Sequence, residues 1–287
     1  MDPKHFLDGM RKFGSTMEEI CLNTLGLVPE KINETVIISP GWFPERLFAA
    51  DDITELIQGS PLFGYQIWNV KQDGFALTYI RTGFGAPVVM DCLLLLGLTG
   101  KCKKIFFVSS VGGLSDAMNI GDIVLPEYSA CGDGASRYLS DDYKNDNFGD
   151  RQYPHDQLFL KVVSATRDIC QNHDVRWHLG KTYCIDTIAA QQNHLNRIIN
   201  EGYNSIDMES GVAFKVANMF CIPMVAILNI SDNSVKENKS LMSKRSEEER
   251  NYRKFVARQI IPTIIAESIR ESIEITYNVD VFAIKDI

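Results

Sequence analysis

Hydrophobic and polar positions follow two alternating patterns along the chain. Short runs of β-branched and aromatic residues bounded by turn-forming residues predict strands, whereas longer segments with apolar residues at helical spacing predict helices. The predicted strands cover residues 35–39, 75–80, 104–108, 122–125, 181–184, 205–208 and 223–229. The predicted helices cover residues 6–25, 44–57, 87–98, 157–170, 188–201, 209–219 and 247–272. This alternation predicts an α/β sheet with helices on both faces, in which ligands gather at the carboxyl ends of the strands.

Three prolines mark particular points of the predicted helices. Pro44 and Pro87 suit a first helical turn, because the missing N–H costs nothing there. Pro262 lies within the last predicted helix, whose apolar residues form a core-facing stripe. We expect this proline to bend that helix.

The composition is that of an ordinary soluble globular protein, since 45% of the 287 residues are hydrophobic and 23% are charged. Lys and Arg number 29 against 37 Asp and Glu, so the formal net charge is -8. Because the chain is acidic and has no basic run, we expect neither nucleic acid nor a membrane as a partner. The longest apolar stretch, residues 92–98, is too short to span a bilayer, and the charged N-terminus does not resemble a signal peptide. We therefore expect a cytoplasmic protein.

The cysteines and histidines indicate neither disulfides nor a metal. The seven cysteines form no C-x-x-C pair and mostly lie in apolar runs, as small buried residues do in a reducing compartment. The five histidines lack the i,i+4 or H-E-x-x-H spacing that places two ligands on one helix face. We expect no structural metal.

Three junctions after predicted strands carry candidate chemistry, and the first is the turn at residues 40–46. Gly41 lets the backbone approach a ligand, free N–H groups at a helix start attract anions, and Arg46 adds a positive charge one turn later. The alternative is a plain tight turn with a surface arginine.

The second junction combines two glycine-containing segments, residues 81–87 and 109–114. The first has the strand, G-x-G and helix order of a dinucleotide fingerprint, but Val88 occupies the position of its third glycine. The second places small residues such as Ser110 after a strand, which leaves N–H and hydroxyl donors for a polar ligand. Each of these segments taken singly is equally typical of a simple glycine turn.

The third junction groups carboxylates at the ends of two apolar strands. In an extended strand Asp207 and Glu209 point to one side and Met208 to the other. Asp232 ends the apolar run 223–230, where partial burial raises a carboxyl pKa and suits a general acid. The alternative for Asp207 and Asp232 is helix N-capping.

Taken in order, these segments resemble the family of nucleoside phosphorylases and nucleosidases, which includes purine nucleoside phosphorylase, uridine phosphorylase and the purine nucleosidases. The resemblance extends from about residue 37 to residue 269, and its most specific part is Asp-Met-Glu-Ser at 207–210 followed by Ser-Asp at 231–232. The other matching segments are 40–46, 82–87, 110–113, 121–124 and 133–136. The resemblance implies a single-domain, three-layer α/β/α fold with a mixed central sheet at residues 31–287, preceded by a helical extension at residues 1–30.

The resemblance also implies roles for individual residues. Glu209 would bond the ribose hydroxyls beside Asp207, while Met208 packs on the sugar. Asp232 matches the acid that protonates the leaving base in the purine enzymes. Gly41, Arg46 and Ser110 match the family's positions that hold the attacking phosphate.

Two departures from the family concern phosphate. Phosphorylases of this family usually carry an arginine where this chain has Phe107, and a second one, supplied by a neighbouring subunit, where it has Asn69. Each lost charge-assisted bond removes about 1.5–3 kcal/mol, so phosphate binding should weaken. Arg81 is a possible replacement, but nothing in the sequence places it near the turn at 40–46.

The base is not determined by the sequence. Asp186 and Thr187 followed by Gln192 resemble the uridine phosphorylase segment that reads a pyrimidine, although His194 stands where that segment has an arginine. Asp232 indicates a purine instead.

Three hypotheses therefore remain open. The first is a nucleoside phosphorylase that uses inorganic phosphate as co-substrate, needs no cofactor and forms base and ribose 1-phosphate in nucleotide salvage. The second is a nucleosidase that uses water, for which Glu45 is the candidate activating glutamate. The third is a nucleoside-binding protein without turnover. For all three we expect a homodimer or a higher homo-oligomer, in which apolar residues of the extension such as Phe6, Met10 and Phe13 contact a neighbour or pack on their own subunit.

Overall fold

Ten strands and eight α-helices alternate along residues 3–12, 14–56, 62–72, 74–144 and 148–270, which are the residues that the computed structural model describes. The strands are β1 Thr35–Ser39, β2 Ile53–Glu55, β3 Gln66–Gln72, β4 Phe75–Arg81, β5 Lys104–Gly113, β6 Ile123–Gly132, β7 Arg151–Gln152, β8 Trp177–Ile185, β9 Ser205–Asp207 and β10 Met224–Asn233. The helices are α1 Pro3–Arg11, α2 Met17–Thr24, α3 Ala86–Thr99, α4 Asp156–His173, α5 Leu195–Asn200, α6 Ser210–Met219, α7 Glu247–Phe255 and α8 Ile261–Arg270. Each of the seven predicted strands is present, with longer or slightly shifted bounds in most cases.

The central sheet is mixed. Strands β4, β1, β5 and β10 run parallel to one another in that order, and β3 and β2 extend the sheet beyond β4 in antiparallel pairs. On the other side β10 pairs with β6, β6 with β8, β8 with β9, and β9 again with β5. This last pairing closes five strands into a ring, so β5 contacts β1, β10 and β9.

Helices cover both faces of the sheet, as the side chains of β5 illustrate. Its fully buried residues alternate between two cores, because successive strand side chains point to opposite faces. Ile105 and Phe107 pack in a core that includes residues of α3 and α6, whereas Phe106 and Val108 pack in a core that includes residues of α4 and α8. The predicted three-layer α/β/α architecture is confirmed.

Helix α3 forms where the sequence predicts it, for local reasons. It begins after Gly85, whose φ of 103° favours glycine, and Pro87 occupies its first turn. It ends at Gly100, which has a left-handed φ of 64°. Seven of its residues are buried, so packing in the core stabilises the helix that these end signals delimit.

The helix predicted at 44–57 is wrong over its described part. The segment forms two 3₁₀ turns, Pro44–Arg46 and Ala50–Asp52, and then β2, which pairs with the unpredicted strand β3. Residue 57 lies outside the described residues. The β-branched Ile53 and Thr54 suit a strand, and the edge of β3 provides the partner that the local pattern does not reveal.

Other predicted helices have shorter or divided forms. The prediction at 6–25 divides into α1 and α2, because Gly14 turns the chain at φ 87° and Thr16 caps α2 through a capping box with Glu19. The prediction at 188–201 shortens to a 3₁₀ turn, Ala190–Asn193, followed by α5.

The C-terminal helix contains a π-helical segment, Val256–Ile260, between α7 and α8. Pro262 lies two residues after this segment. It has no N–H to donate to the carbonyl four residues earlier, which favours a departure from regular α-helix at this point. The predicted residues 271 and 272 lie outside the described residues.

The N-terminal helices pack on their own chain. Ile20 and Cys21 of α2 belong to the core beneath α3 and α6, and Phe6 and Met10 of α1 pack against it. Phe13 lies outside the described residues. The domain division at residue 30 stays a prediction. Among the described helices, none is both long and apolar enough to cross a membrane.

Candidate active site

Most of the predicted site residues lie at one edge of the sheet. Strands β1, β5 and β10 are parallel, so their carboxyl ends meet there. Gly41 and Arg46 follow β1, Ser110 lies near the end of β5, and Asp232 lies near the end of β10. The structure thus brings together residues that are far apart in the chain.

Strand β5 joins the two carboxylate segments. Gly112 pairs with Asp232 on one side and with Ile206 of β9 on the other. Adjacent strands lie about 4.8 Å apart, so Gly112 has the Asp232 backbone as its neighbour on one side and the Ile206 backbone on the other. A Cβ at Gly112 would lie 3.0 Å from Ile206 Cγ2, which is tight, and 3.5 Å from Asp232 Oδ2, which is ordinary contact, so the glycine leaves room for Ile206.

Glu209 is held at the N-terminus of α6. Its side chain is 3% exposed, and Gly85 N donates to its Oε1 at 2.7 Å. Burial raises the pKa of Glu209, and the nearby charge of Asp207 raises it further. Met208 is half-buried beside it. Glu209 is thus a buried carboxyl group fixed beside the loop between β4 and α3.

Asp207 bonds the start of α6, although the N-cap residue of that helix is Glu209. Ser210 N donates to Asp207 Oδ2 at 3.0 Å. The other oxygen, Oδ1, is buried and has no hydrogen-bond partner within the described part of the chain. Burial raises the pKa of Asp207, and the charge of Asp133 adds to that effect.

Asp232 lies within β10 and does not cap a helix. A β-bulge between Ile230 and Asp232 shifts the register of β10 against β5, and such bulges redirect side chains. The carboxyl group is 6% exposed, and Ser231 Oγ donates to its Oδ1 at 2.6 Å. Burial raises the pKa of Asp232, although the Ser231 bond and the charges of Arg245 and Arg253 oppose the rise.

The turn after β1 is fixed by its own hydrogen bonds. Trp42 N donates to Ser39 Oγ at 3.1 Å, Tyr79 Oη donates to the Trp42 carbonyl at 2.9 Å, and Trp42 Nε1 donates to Ser110 Oγ at 3.1 Å. The Arg46 guanidinium lies 3.9 Å above the centre of the Trp42 ring, in a cation–π contact. The turn thereby connects Arg46 to Ser110.

A cavity of about 470 Å³ opens at this turn. Gly41, Trp42, Glu45 and Arg46 form one wall, and α7 with the following π-helical segment forms another. The six cationic side chains of the lining are Arg46, Arg245, Arg250, Arg253, Lys254 and Arg258. The cavity is thus strongly basic although the whole chain is acidic.

The sequence interpretation missed Arg253, which bonds Ser110 Oγ through Nη2 at 2.8 Å. The available signal is the spacing of positions 250, 253, 254 and 258, which lie on one helical face. That spacing shows a basic face but not what the face contacts.

The structure shows where the two residues that depart from the family, Phe107 and Asn69, lie. Phe107 is fully buried in the core beneath α3 and α6, so it does not face the cavity. The Asn69 side chain on β3 accepts a bond from Asn33 Nδ2 at 2.9 Å. Arg81 donates to Gln66 Oε1 at 2.7 Å, and its guanidinium lies 4.3 Å from the centre of the Phe43 ring. Arg81 thus lies beside the turn at 40–46, although it is not in the wall of the basic cavity.

The base-reading segment is only partly assembled. Asp186, Thr187 and His194 line a second cavity of about 610 Å³, whereas Gln192 is exposed and absent from its wall. Gln191 is the buried glutamine of this turn. The structure therefore separates Gln192 from the residues with which the sequence grouped it.

Comparison with solved structures shows the fold. A uridine phosphorylase from Vibrio fischeri ES114, complexed with 6-hydroxy-1-naphthoic acid, superposes with a TM-score of 0.67 at 17% sequence identity. The match covers 92% of this chain and 98% of the other. The fold and the arrangement of strands therefore define a protein of the nucleoside phosphorylase-like fold class.

The family follows from the sequence comparison. The family model described as the phosphorylase superfamily matches residues 58–261, which is more than half of the chain. The chain belongs to the phosphorylase superfamily, as the resemblance predicts.

Individual relatives are distant. A DeoD-type purine nucleoside phosphorylase from Streptococcus pneumoniae is 21% identical over 208 residues, covering 72% of this chain and 81% of the relative. A 5'-methylthioadenosine/S-adenosylhomocysteine nucleosidase from Buchnera aphidicola is 24% identical over 180 residues, covering 59% of this chain and 73% of the relative. The relatives thus include both a phosphorylase and a nucleosidase.

Proposed function

We propose that the protein cleaves the N-glycosidic bond of a ribonucleoside with inorganic phosphate, releasing the base and ribose 1-phosphate. The observation that supports this most is the meeting of two kinds of group at one sheet edge. The buried Asp232 pairs with Gly112 of β5, and the buried Glu209 follows β9, which pairs with the same end of β5. The basic cavity is lined by Gly41 and by Trp42, and the Trp42 indole bonds Ser110 of β5. Nucleoside phosphorolysis requires both an acid and an anion site.

Each group has a role in this reaction. Glu209 accepts hydrogen bonds from the ribose hydroxyls, and Met208 packs on the sugar. A phosphate oxygen at Gly41, Arg46 and Ser110 forms a bond to C1′, while the C1′–N bond breaks and its electron pair moves to the base. Asp232 gives the base a proton, and the proton of hydrogen phosphate is returned to Asp232 through solvent.

Asp232 supports a purine as the base. Its buried carboxyl group has a raised pKa, so a larger fraction is protonated near neutral pH than for an exposed aspartate. The exposed position of Gln192 gives no comparable support for a pyrimidine. We therefore propose that the substrate is a purine ribonucleoside. We further propose that the protein is a closed homo-oligomer in the cytoplasm and needs no cofactor.

Hydrolysis is the second candidate, and Glu45 favours it. This glutamate lines the basic cavity next to Arg46, where it can act as a base toward water. In this reaction water replaces phosphate, and the products are base and free ribose.

One assay distinguishes these candidates. The purified protein is incubated with purine and pyrimidine ribonucleosides, with and without phosphate, and the sugar product is identified. Ribose 1-phosphate formed only with phosphate is the expected result. Free ribose in both conditions would replace the proposal by hydrolysis, and Glu45→Gln would then abolish it. Absence of base release from every nucleoside would leave a binding protein without turnover.

A further inference from the structure

Ser110 accepts two hydrogen bonds from residues that line the basic cavity. Trp42 Nε1 donates to its Oγ at 3.1 Å and Arg253 Nη2 at 2.8 Å. A serine hydroxyl accepts at most two bonds and donates one. Both acceptor positions are therefore used, and the hydroxyl proton has no acceptor among the described residues. Ser110 is left as a donor, which is the role that an anion requires.

Arg253 is held in place from a second side. Its Nε donates to Asn229 Oδ1 at 3.2 Å, and Asn229 Nδ2 in turn donates to the Gly121 carbonyl at 2.7 Å. The amide is thereby oriented with its oxygen toward the arginine. A guanidinium has five N–H donors, and two of them are used here, so three remain for a ligand.

The described wall of the cavity has six cationic side chains but two acidic ones, Glu45 and Glu249. None of its five arginines forms an ion pair with any described residue, and Glu249 is paired with Lys239. Burial, together with the charges of Arg253 and Arg258, lowers the pKa of Arg46 to about 10. Partly buried like charges are costly unless an anion binds between them.

We propose that Arg253 binds the phosphate together with Ser110 and Arg46. This inference rests on the proposed function and adds a ligand that the sequence comparison did not indicate. Arg253 comes from the C-terminal helix α7, and it supplies the guanidinium that Phe107 and Asn69 do not. In this protein the second arginine of the phosphate site thus comes from α7.

The test measures phosphate binding separately from turnover. Calorimetry with inorganic phosphate, and with unreactive sulfate, compares the wild type with Arg253→Met and Arg253→Lys. Loss of one or two charge-assisted bonds corresponds to about a 10- to 100-fold weaker dissociation constant. We expect this weakening in Arg253→Met, and a smaller one in Arg253→Lys, which keeps the charge but not the fork of donors. The control is Arg167→Met, which removes an exposed positive charge on α4.

The outcomes separate this inference from the proposed function. Phosphate binding that depends on Arg253 in a protein that hydrolyses nucleosides would support the inference and refute phosphorolysis. Phosphorolysis with an unchanged phosphate KM in both Arg253 variants would refute the inference alone. Absence of phosphate binding by the wild type would refute both. Should Arg253→Met fail to fold by circular dichroism, the Arg253→Lys comparison decides the question.

Discussion

Replacement of Asp232 by asparagine tests the proton-donating step most directly. The carboxyl group is 6% exposed and accepts the Ser231 hydroxyl at 2.6 Å. Asparagine has nearly the same volume, and its amide oxygen can keep the bond from Ser231. The variant therefore removes the acidic proton with little change in packing.

The expected magnitude follows from the chemistry of a general acid. A positioned acid contributes typically about 10²–10⁴-fold in rate, which corresponds to about 3–5 kcal/mol of the barrier. We expect the kcat of Asp232→Asn for a purine ribonucleoside to fall by about this factor. The KM should change far less, because Asp232 acts on the departing base and not on the bound sugar.

The assay compares two substrates in the presence of phosphate. One is a purine ribonucleoside, and the other is p-nitrophenyl riboside, whose leaving group departs as an anion and needs no proton. Asp232→Asn should slow the first strongly and the second only slightly. Asp168→Asn, which changes an exposed aspartate on α4, serves as the matched control. Equal losses on both substrates, or unchanged purine turnover, would show that Asp232 is not the acid.

Three further predictions concern the pH dependence, the packing and the helix that carries Arg253. Burial raises the pKa of Glu209 in the folded state above its usual 4.5. The contribution of Glu209 to the free energy of unfolding is therefore lost as the pH rises from 4.5 through the folded-state pKa. Urea unfolding at several pH values should show this loss of stability, and Glu209→Gln should make the loss smaller. Gly132→Ala should lower stability by about 1–3 kcal/mol or more, because its Cβ would lie 2.4 Å from a backbone oxygen of β8, and thermal unfolding with Gly9→Ala as an unhindered control measures this. Ser246→Ala should cost about 1 kcal/mol by removing the capping box of α7, and it should also raise the phosphate KM; an unchanged KM despite the lost stability would show that the helix end does not position Arg253.

The sequence by itself determined the elements that local patterns encode. It predicted β1 at its observed bounds and α3 to within one residue at each end, because strand periodicity and the Gly85 and Pro87 signals act within a few residues. It also indicated the family and most residues of the candidate site. Strands β2, β3 and β7 were missed, because a strand at the sheet edge depends on its partner for pairing.

Only the tertiary structure decided how the site is assembled. The bond from Gly85 to Glu209 joins residues 124 positions apart, and the bond from Arg253 to Ser110 joins residues 143 positions apart. Periodicity reports which face of an element is apolar, but not which distant element covers that face. For the same reason the sequence showed that Phe107 stands in place of an arginine, while only the packing of α7 against β5 and β10 showed where another arginine lies.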